Sequence, residues 1–244
     1  MRDYLLDLVS HTYDLGLINL IKVTADDKAT AIEAIAEDKS IVLNGRFHNP
    51  IADFVNTFGM PNLGKLKIIL NLQEYKENAD ITVIHQERNS SQVPVGLHFE
   101  NATKDFQNDY RFMTPEVIND QLKTAKFRGA TWHYEFEPTM AGIQRLKMQA
   151  QANAEENTFA IKCNGKELRF IFGDHSTHAG DFVFHHLDSK YALKRNWQYP
   201  IKAVISIFDS IGDKVVRISD DGAMQITVDS GLAEYNYILP AHSK

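Results

Sequence analysis

Ten histidines are spread over the 244 residues, and the densest polar group is the nonapeptide Gly-Asp-His-Ser-Thr-His-Ala-Gly-Asp at 173–181. Asp174, His175, His178 and Asp181 supply two imidazoles and two carboxylates there, a donor set that suits a divalent metal and, with it, a hydrolase. The same stretch also reads as a turn between two strands, where Gly and Asp are ordinary. His185 and His186 are adjacent in a strand pattern, so their side chains leave on opposite faces and cannot share one site. Cys163, the only cysteine, reads as a small core residue of a strand rather than a nucleophile. No disulfide framework or cysteine-based zinc site can be built from it within one chain, and a reducing compartment fits. The chain has no Gly-x-Ser-x-Gly, no P-loop and no dinucleotide glycine pattern. The expectation is a protein without catalytic residues, without a resident metal and without a cofactor.

The elements that would carry any site must come from a chain that is 43% hydrophobic and 10% aromatic, enough to build a core. Its length suits one large domain or two of about 120 residues. No apolar run approaches the ~20 residues of a membrane span, and three Asp in the first fourteen residues argue against a signal peptide. The formal net charge is −6. Nonspecific DNA binding comes from phosphate neutralisation by Lys and Arg, so positive charge would have to be confined to one surface for this chain to meet DNA.

Two halves show one order of elements. In the first, residues 3–15 suit an amphipathic helix, with strands at 18–24, 29–36 and 40–43. Pro50 then opens a short helix over 51–58, and strands return at 66–72, 80–85, 95–100 and around 106–112. In the second, a helix spans 139–153 after Pro138, strands follow at 158–163, 167–172 and 181–187, and Pro200 opens a helix at 201–211. Residues 114–130 have little strand character and read as a connector. The expected division is a first domain at 1–113, the connector at 114–130 and a second domain at 131–244.

The C-terminal stretch is the most legible. In residues 215–240, Val216, Ile218, Met224, Ile226, Val228, Tyr235, Tyr237 and Leu239 recur at every second position, the mark of half-buried strands. Asp221-Gly222 supplies a hairpin turn. Its wording, Asp-Asp-Gly, then Leu-Ala-Glu-Tyr, then Tyr-Ile-Leu-Pro, resembles the closing strands of DNA sliding clamps such as proliferating cell nuclear antigen (PCNA) and the processivity clamps of large tailed bacteriophages. Softer support comes from Asn-Thr-Phe-Ala-Ile-Lys-Cys-Asn at 157–164 and from 51–72. The resemblance implies an α+β fold of two similar clamp domains, each with two helices packed on antiparallel sheets. Such subunits close head-to-tail into a ring, with helices lining the hole; the phage version is a homotrimer. It also implies duplex DNA held without sequence preference, a replicative DNA polymerase and a clamp loader ATPase as partners, no membrane, and a cytoplasmic setting (that of an infected bacterial host if phage-encoded). The alternatives from other classes are a β-rich oligomeric binding or structural protein without DNA function, and the metal-dependent hydrolase of the 174–181 cluster.

With helices as the channel lining, helix 139–153 offers Arg145, Lys147 and Gln149 and no carboxylate, although Lys147 falls near the apolar stripe and would have to snorkel. These charges serve equally well to solvate an ordinary helix surface. Helix 201–211 offers Lys202, and Lys194 and Arg195 precede it. In the first half, helix 3–15 places Asp3, Asp7, Ser10, His11 and Asp14 on its polar face, and helix 51–58 offers Asp53, Asn56 and Thr57, an acidic lining that would repel DNA. Either the register of the first helix differs, or positive charge comes from loops: Lys65 and Lys67 after the second helix, and Lys123, Lys126 and Arg128 in the connector. The resemblance further implies a partner-docking pocket formed by Tyr237, Leu239 and Pro240, lined by Leu122 or Phe127. The ring joint is expected between the strands near 106–112 and 181–187.

Overall fold

Leu5, Leu8 and Val9 recur at helical spacing in α1 (Arg2–Ser10) and are all buried. A computed structural model describes residues 1–88, 91–122, 127, 129–174 and 178–242, the side chains of Arg88 and Ser91 excepted. After α1 comes a 3-10 turn at Tyr13–Leu15, so the expected helix over 3–15 ends at Ser10. Four strands follow: β1 (Leu20–Ala25), β2 (Thr30–Ile35), β3 (Val42–Phe47) and β4 (Asn56–Pro61). Every second residue of β1–β3 is buried, as half-buried strands require. Helix α2 (Leu63–Asn71), strands β5 (Asp80–Arg88), β6 (Ser91–Glu100) and β7 (Gln107–Arg111), and helix α3 (Pro115–Gln121) come next.

Two expectations for this half are corrected. No helix spans 51–58; Phe54 N–H donates to Ile51 C=O at 2.9 Å in a single turn, and Asn56 takes a left-handed φ of 62°. The following residues pair with β1, Val23 facing Phe58 and Ile21 facing Met60, which buries both side chains completely. Residues 66–72 are not a strand but lie mostly in α2. Leu-Lys-Ile-Ile-Leu fits both periods. The helix wins because it buries Leu63, Leu66, Ile69 and Leu70 together and leaves only Ile68, 66% exposed, outside. The stretch 114–130, expected as a connector, contains α3, opened by Pro115 at its first turn. Ile118 of α3 sits against Gly59 of β4, where an added Cβ would come within 2.9 Å of it.

The second half runs β8 (Tyr134–Phe136), α4 (Met140–Ala152), β9 (Thr158–Cys163), β10 (Glu167–Gly173), β11 (Ala179–His186), β12 (Gln198–Pro200), α5 (Ile201–Asp209), β13 (Asp213–Ser219), β14 (Ala223–Asp229) and β15 (Ala233–Pro240). Thr139 caps α4 by accepting Gly142 N–H at 3.0 Å. Helix α5 buries Ile201, Val204, Ile207 and Phe208, spaced one helical turn apart. Gly222 takes a φ of +87° in the β13–β14 turn, a conformation in which a side chain is strained.

The chain divides into two units, Met1–Lys126 with Asp229–Tyr235, and Phe127–Val228 with Asn236–Lys244. Unit 1 pairs its strands in the order β4-β1-β2-β3 and, in a second sheet, β5-β6-β7. Unit 2 pairs β12-β9-β10-β11 and β15-β14-β13-β8. With the second helix placed at α2, one order recurs twice, helix, four strands, helix, three strands, with α3 and β8 between the two runs. The first four strands of each run also pair in the same sequence. The pairs β1–β2, β1–β4, β2–β3, β5–β6, β6–β7, β8–β13, β9–β10, β9–β12 and β10–β11 are antiparallel. The tip of the last hairpin belongs to unit 1, where His48 N–H donates to Leu232 C=O at 2.9 Å. Among the described residues no helix is long and apolar enough to cross a membrane.

Candidate nucleic-acid interface

One pair of helices in each unit packs together, α1 on α2 and α4 on α5. Together these four helices carry six Lys or Arg and three Asp, whereas the whole chain has 26 basic and 32 acidic residues. The helices therefore reverse the sign of the chain.

Part of the acidic polar face expected on the first helix turns inward. Asp7 is 10% exposed and accepts hydrogen bonds from Tyr235 Oη at 2.7 Å and Ser230 Oγ at 3.0 Å. His11 is 2% exposed, with Nδ1 2.9 Å from Asp7 C=O and its ring stacked on Tyr235 at 4.5 Å. Burial raises the Asp7 pKa, but the hydrogen bonds from His11, Tyr235 and Ser230 outweigh it and hold the carboxyl below its ordinary 3.8. Asp14, in the turn after α1, is bound by Lys67 at 2.7 Å. Asp3 is the carboxylate that α1 leaves exposed. The acidic lining was a consequence of misplacing the second helix and of partners more than 200 residues away.

Lys65 and Lys67 lie on α2 itself, not after a helix. At about 100° per residue, they flank the exposed Ile68. Lys65 is exposed, while Lys67 is tied to Asp14 and sits 5.8 Å from the Tyr13 ring. In α4 the same arrangement recurs. Arg145 is exposed, Lys147 bonds to Asp209 at the end of α5, and Met148 between them is 64% exposed. Both helices thus read basic residue, buried Leu, ion-paired Lys, exposed apolar residue: Lys65-Leu66-Lys67-Ile68 and Arg145-Leu146-Lys147-Met148. The match does not show while 66–72 is read as a strand, because only on a helix does Ile68 stand between Lys65 and Lys67. Lys202 is exposed on α5. Gln149 is half-buried, and its side-chain oxygen accepts from Asn153 Nδ2 at 3.0 Å.

Lys194 and Arg195 belong to a different device, the loop between β11 and β12. Asp220 accepts Tyr191 Oη at 2.7 Å and Lys194 N–H at 3.1 Å, and its backbone C=O takes Trp197 Nε1 at 2.7 Å. Burial pushes the Asp220 carboxyl up, but Tyr191 and the backbone N–H groups of Lys194 and Arg195 hold it below the ordinary range. The Arg195 guanidinium lies 5.4 Å from the Trp197 ring, and both basic side chains are exposed.

The expected docking residues separate. Tyr237 and Leu239 are fully buried and offer no side-chain surface, because they form the inward face of β15; Pro240 is exposed. Leu122 is half-buried at the end of α3, and Phe127 stands 6.1 Å from the Trp132 ring. Lys123, Lys126 and Arg128 lie outside the described residues. In the 173–181 stretch, Asp181 is taken by Arg169, whose Nε is 3.1 Å away, and His175 lies outside the described residues. Among the described residues no three His, Cys, Asp or Glu gather as a metal set. Cys163 is buried, and its Sγ accepts Gly165 N–H at 3.3 Å.

The fold is that of PCNA-type sliding clamps. The chain superposes on PCNA of A. fulgidus, in a structure with the C-terminal region of FEN-1 bound, with a TM-score of 0.66 and 10% identity over 98% of this chain and 96% of that one. PCNA of Thermococcus kodakaraensis gives a TM-score of 0.63 at 11% identity, over 99% and 97% of the two chains. No family model matches the chain, and no curated protein matches it in sequence.

Proposed function

We propose that this chain is a DNA sliding clamp, a processivity factor that encircles duplex DNA and tethers a replicative polymerase to it. The observation that carries the reading is the reversed charge of the four helices within an acidic chain. A clamp needs no base readout. Scattered Lys and Arg contacts that exchange along the phosphate backbone suffice, and base-specific pairs would hinder sliding. Lys65, Arg145 and Lys202 are exposed on the helices and suited to that task.

The ring is a homotrimer closed head-to-tail. In support, among the described residues β7 pairs with β6 alone and β11 with β10 alone, so each unit ends in a strand with an unpaired edge. Antiparallel joining of β7 to β11 of the next copy would satisfy both edges, and repetition by rotation closes the ring. Dissociation then requires opening a joint rather than breaking phosphate contacts. Because closure excludes threading over internal DNA, an ATP-driven loader is a required partner. Short peptides of partner proteins, like the FEN-1 segment on A. fulgidus PCNA, would dock on unit 2 near Phe127 and Pro240.

The test is Arg145→Glu. It is expected to weaken polymerase stimulation on primed DNA while leaving the mass in solution at three times 27.7 kDa. Unchanged stimulation removes Arg145 from the DNA-facing set, and a monomer at every concentration removes the stable ring.

A further inference from the structure

The two matched tetrads differ within themselves in one respect. In each, the first basic residue is exposed, with no ion pair among the described residues, and the second is held by an aspartate of the neighbouring helical segment. Lys67 belongs to α2, yet Asp14 comes from the turn that follows α1. Lys147 belongs to α4, yet Asp209 is the last residue of α5. These contacts are made independently in two units that share no sequence, and each neutralises one of the two cations of its tetrad. Each also sits beside an exposed apolar residue, Ile68 or Met148, at the outermost part of its helix.

We infer that Asp14 and Asp209 are charge masks: they hold Lys67 and Lys147 away from DNA and limit how tightly each subunit grips the phosphate backbone. The inference rests on the DNA-facing role given to these helices above. A phosphate that reaches Lys67 meets an ammonium already neutralised by the Asp14 carboxylate, so the contact gains little while that pair is closed. Lys65, Arg145 and Lys202 exchange counterions for phosphate and contribute fully. Each neutralised phosphate adds about 0.9 to the slope of log affinity against log salt, so two masked lysines remove about 1.8 from the slope that five basic residues would give. A clamp that must translocate profits from such a ceiling, since every additional strong contact slows each step along the duplex. The partly exposed pairs, with Lys67 44% and Asp209 49% accessible, are weak enough to exchange, which makes the masks adjustable by salt.

The experiment is a double-mutant cycle on the full chain, read as the salt dependence of binding to a short fluorescent duplex between about 50 and 200 mM salt. Lys67→Gln alone should leave the slope nearly unchanged, and Asp14→Asn should steepen it by about 0.9. Lys67→Gln in the Asp14→Asn background should then lower it again by the same amount. Lys147 with Asp209→Asn should repeat the pattern. Comparing Lys→Gln with and without the aspartate separates unmasking from the general effect of deleting a negative charge, and thermal melting confirms that each variant folds. If Lys67→Gln lowers the slope of the native chain as much as Lys65→Gln does, Lys67 is an ordinary contact and the masks do not exist. If Lys65→Gln and Arg145→Glu both leave the slope unchanged, the DNA reading of these helices fails, and this inference fails with it.

Discussion

The first sheet of unit 1 is packed mainly with aliphatic residues, Ile21, Val23, Ile32, Ala34 and Leu43, with rings at Phe47 and Phe58, whereas its counterpart in unit 2 has a run of stacked rings. Phe159 stacks on Phe170 at 4.4 Å, and Phe170 stacks on Phe184 at 4.2 Å with the planes 10° apart. The strand order is nonetheless the same in both. Order is set by where alternation starts, where turns fall and which helix crosses the sheet; the interior accepts any apolar set of suitable volume. That is why the two halves repeat a topology without repeating a sequence. The helices show the converse. There a short residue pattern recurs, on the second helix of one unit and the first helix of the other, positions that are not equivalent in element order.

The comparison can be broken at four points. Phe170→Ala should be the costliest, about 3–5 kcal/mol, because it removes the ring in the middle of the unit 2 stack; urea unfolding of the variant measures it. A loss below 1 kcal/mol would mean that the rings are not what holds that sheet. Next are the carboxylates that gather chain from a distance, Asp220 in unit 2 and Asp7 in unit 1. Asp220→Ala should cost about 2–3 kcal/mol, since its acceptor bonds are charge-assisted and several are lost together, and should free the Tyr191–Trp197 loop to proteolysis.

For Asp7 the test is pH. Its carboxyl is held below 3.8 in the folded chain, so its contribution is complete above that value and is lost as pH falls through the lower, folded value. Melting temperature should drop on acidification below about pH 4, and Asp7→Asn should make that drop shallower while lowering stability at neutral pH by about 1–2 kcal/mol. An acid limb of the same steepness in the variant would assign the effect to other groups. The smallest change is Ile32→Val, about 0.5–1.5 kcal/mol, the aliphatic sheet's answer to the loss of a ring; chemical denaturation resolves it.

Much of this was legible in the sequence because the signals were local. The period-2 residues of 215–240, the Asp221-Gly222 turn, and the helices that follow Pro138 and Pro200 all form where the pattern places them. Leu66–Leu70 was not legible: five residues of mixed character satisfy both periods, and only burial against the rest of unit 1 decides between them. Asp7 defeated the reading for another reason. Its polarity suggested solvent, but its acceptor bonds come from Ser230 and Tyr235, which no local pattern connects to it. Strands β8 and β12, three residues each, are too short to show a period. In the candidate site, basic residues can be picked out by type, but their division into exposed and ion-paired members depends on which helical segments meet, and that information is in the tertiary packing alone.

The hairpin tip that completes unit 1 has a consequence for the order in which the protein can be made. Most of unit 1 precedes unit 2 in the chain, yet the ring that stacks on His11 and the hydroxyl that bonds to Asp7 belong to Tyr235, which is made only after residues 127–228 of unit 2. Domains commonly fold in the order of their synthesis. Here the earlier unit must wait, its α1 underside uncovered, until residues 127–228 of the later one have been translated.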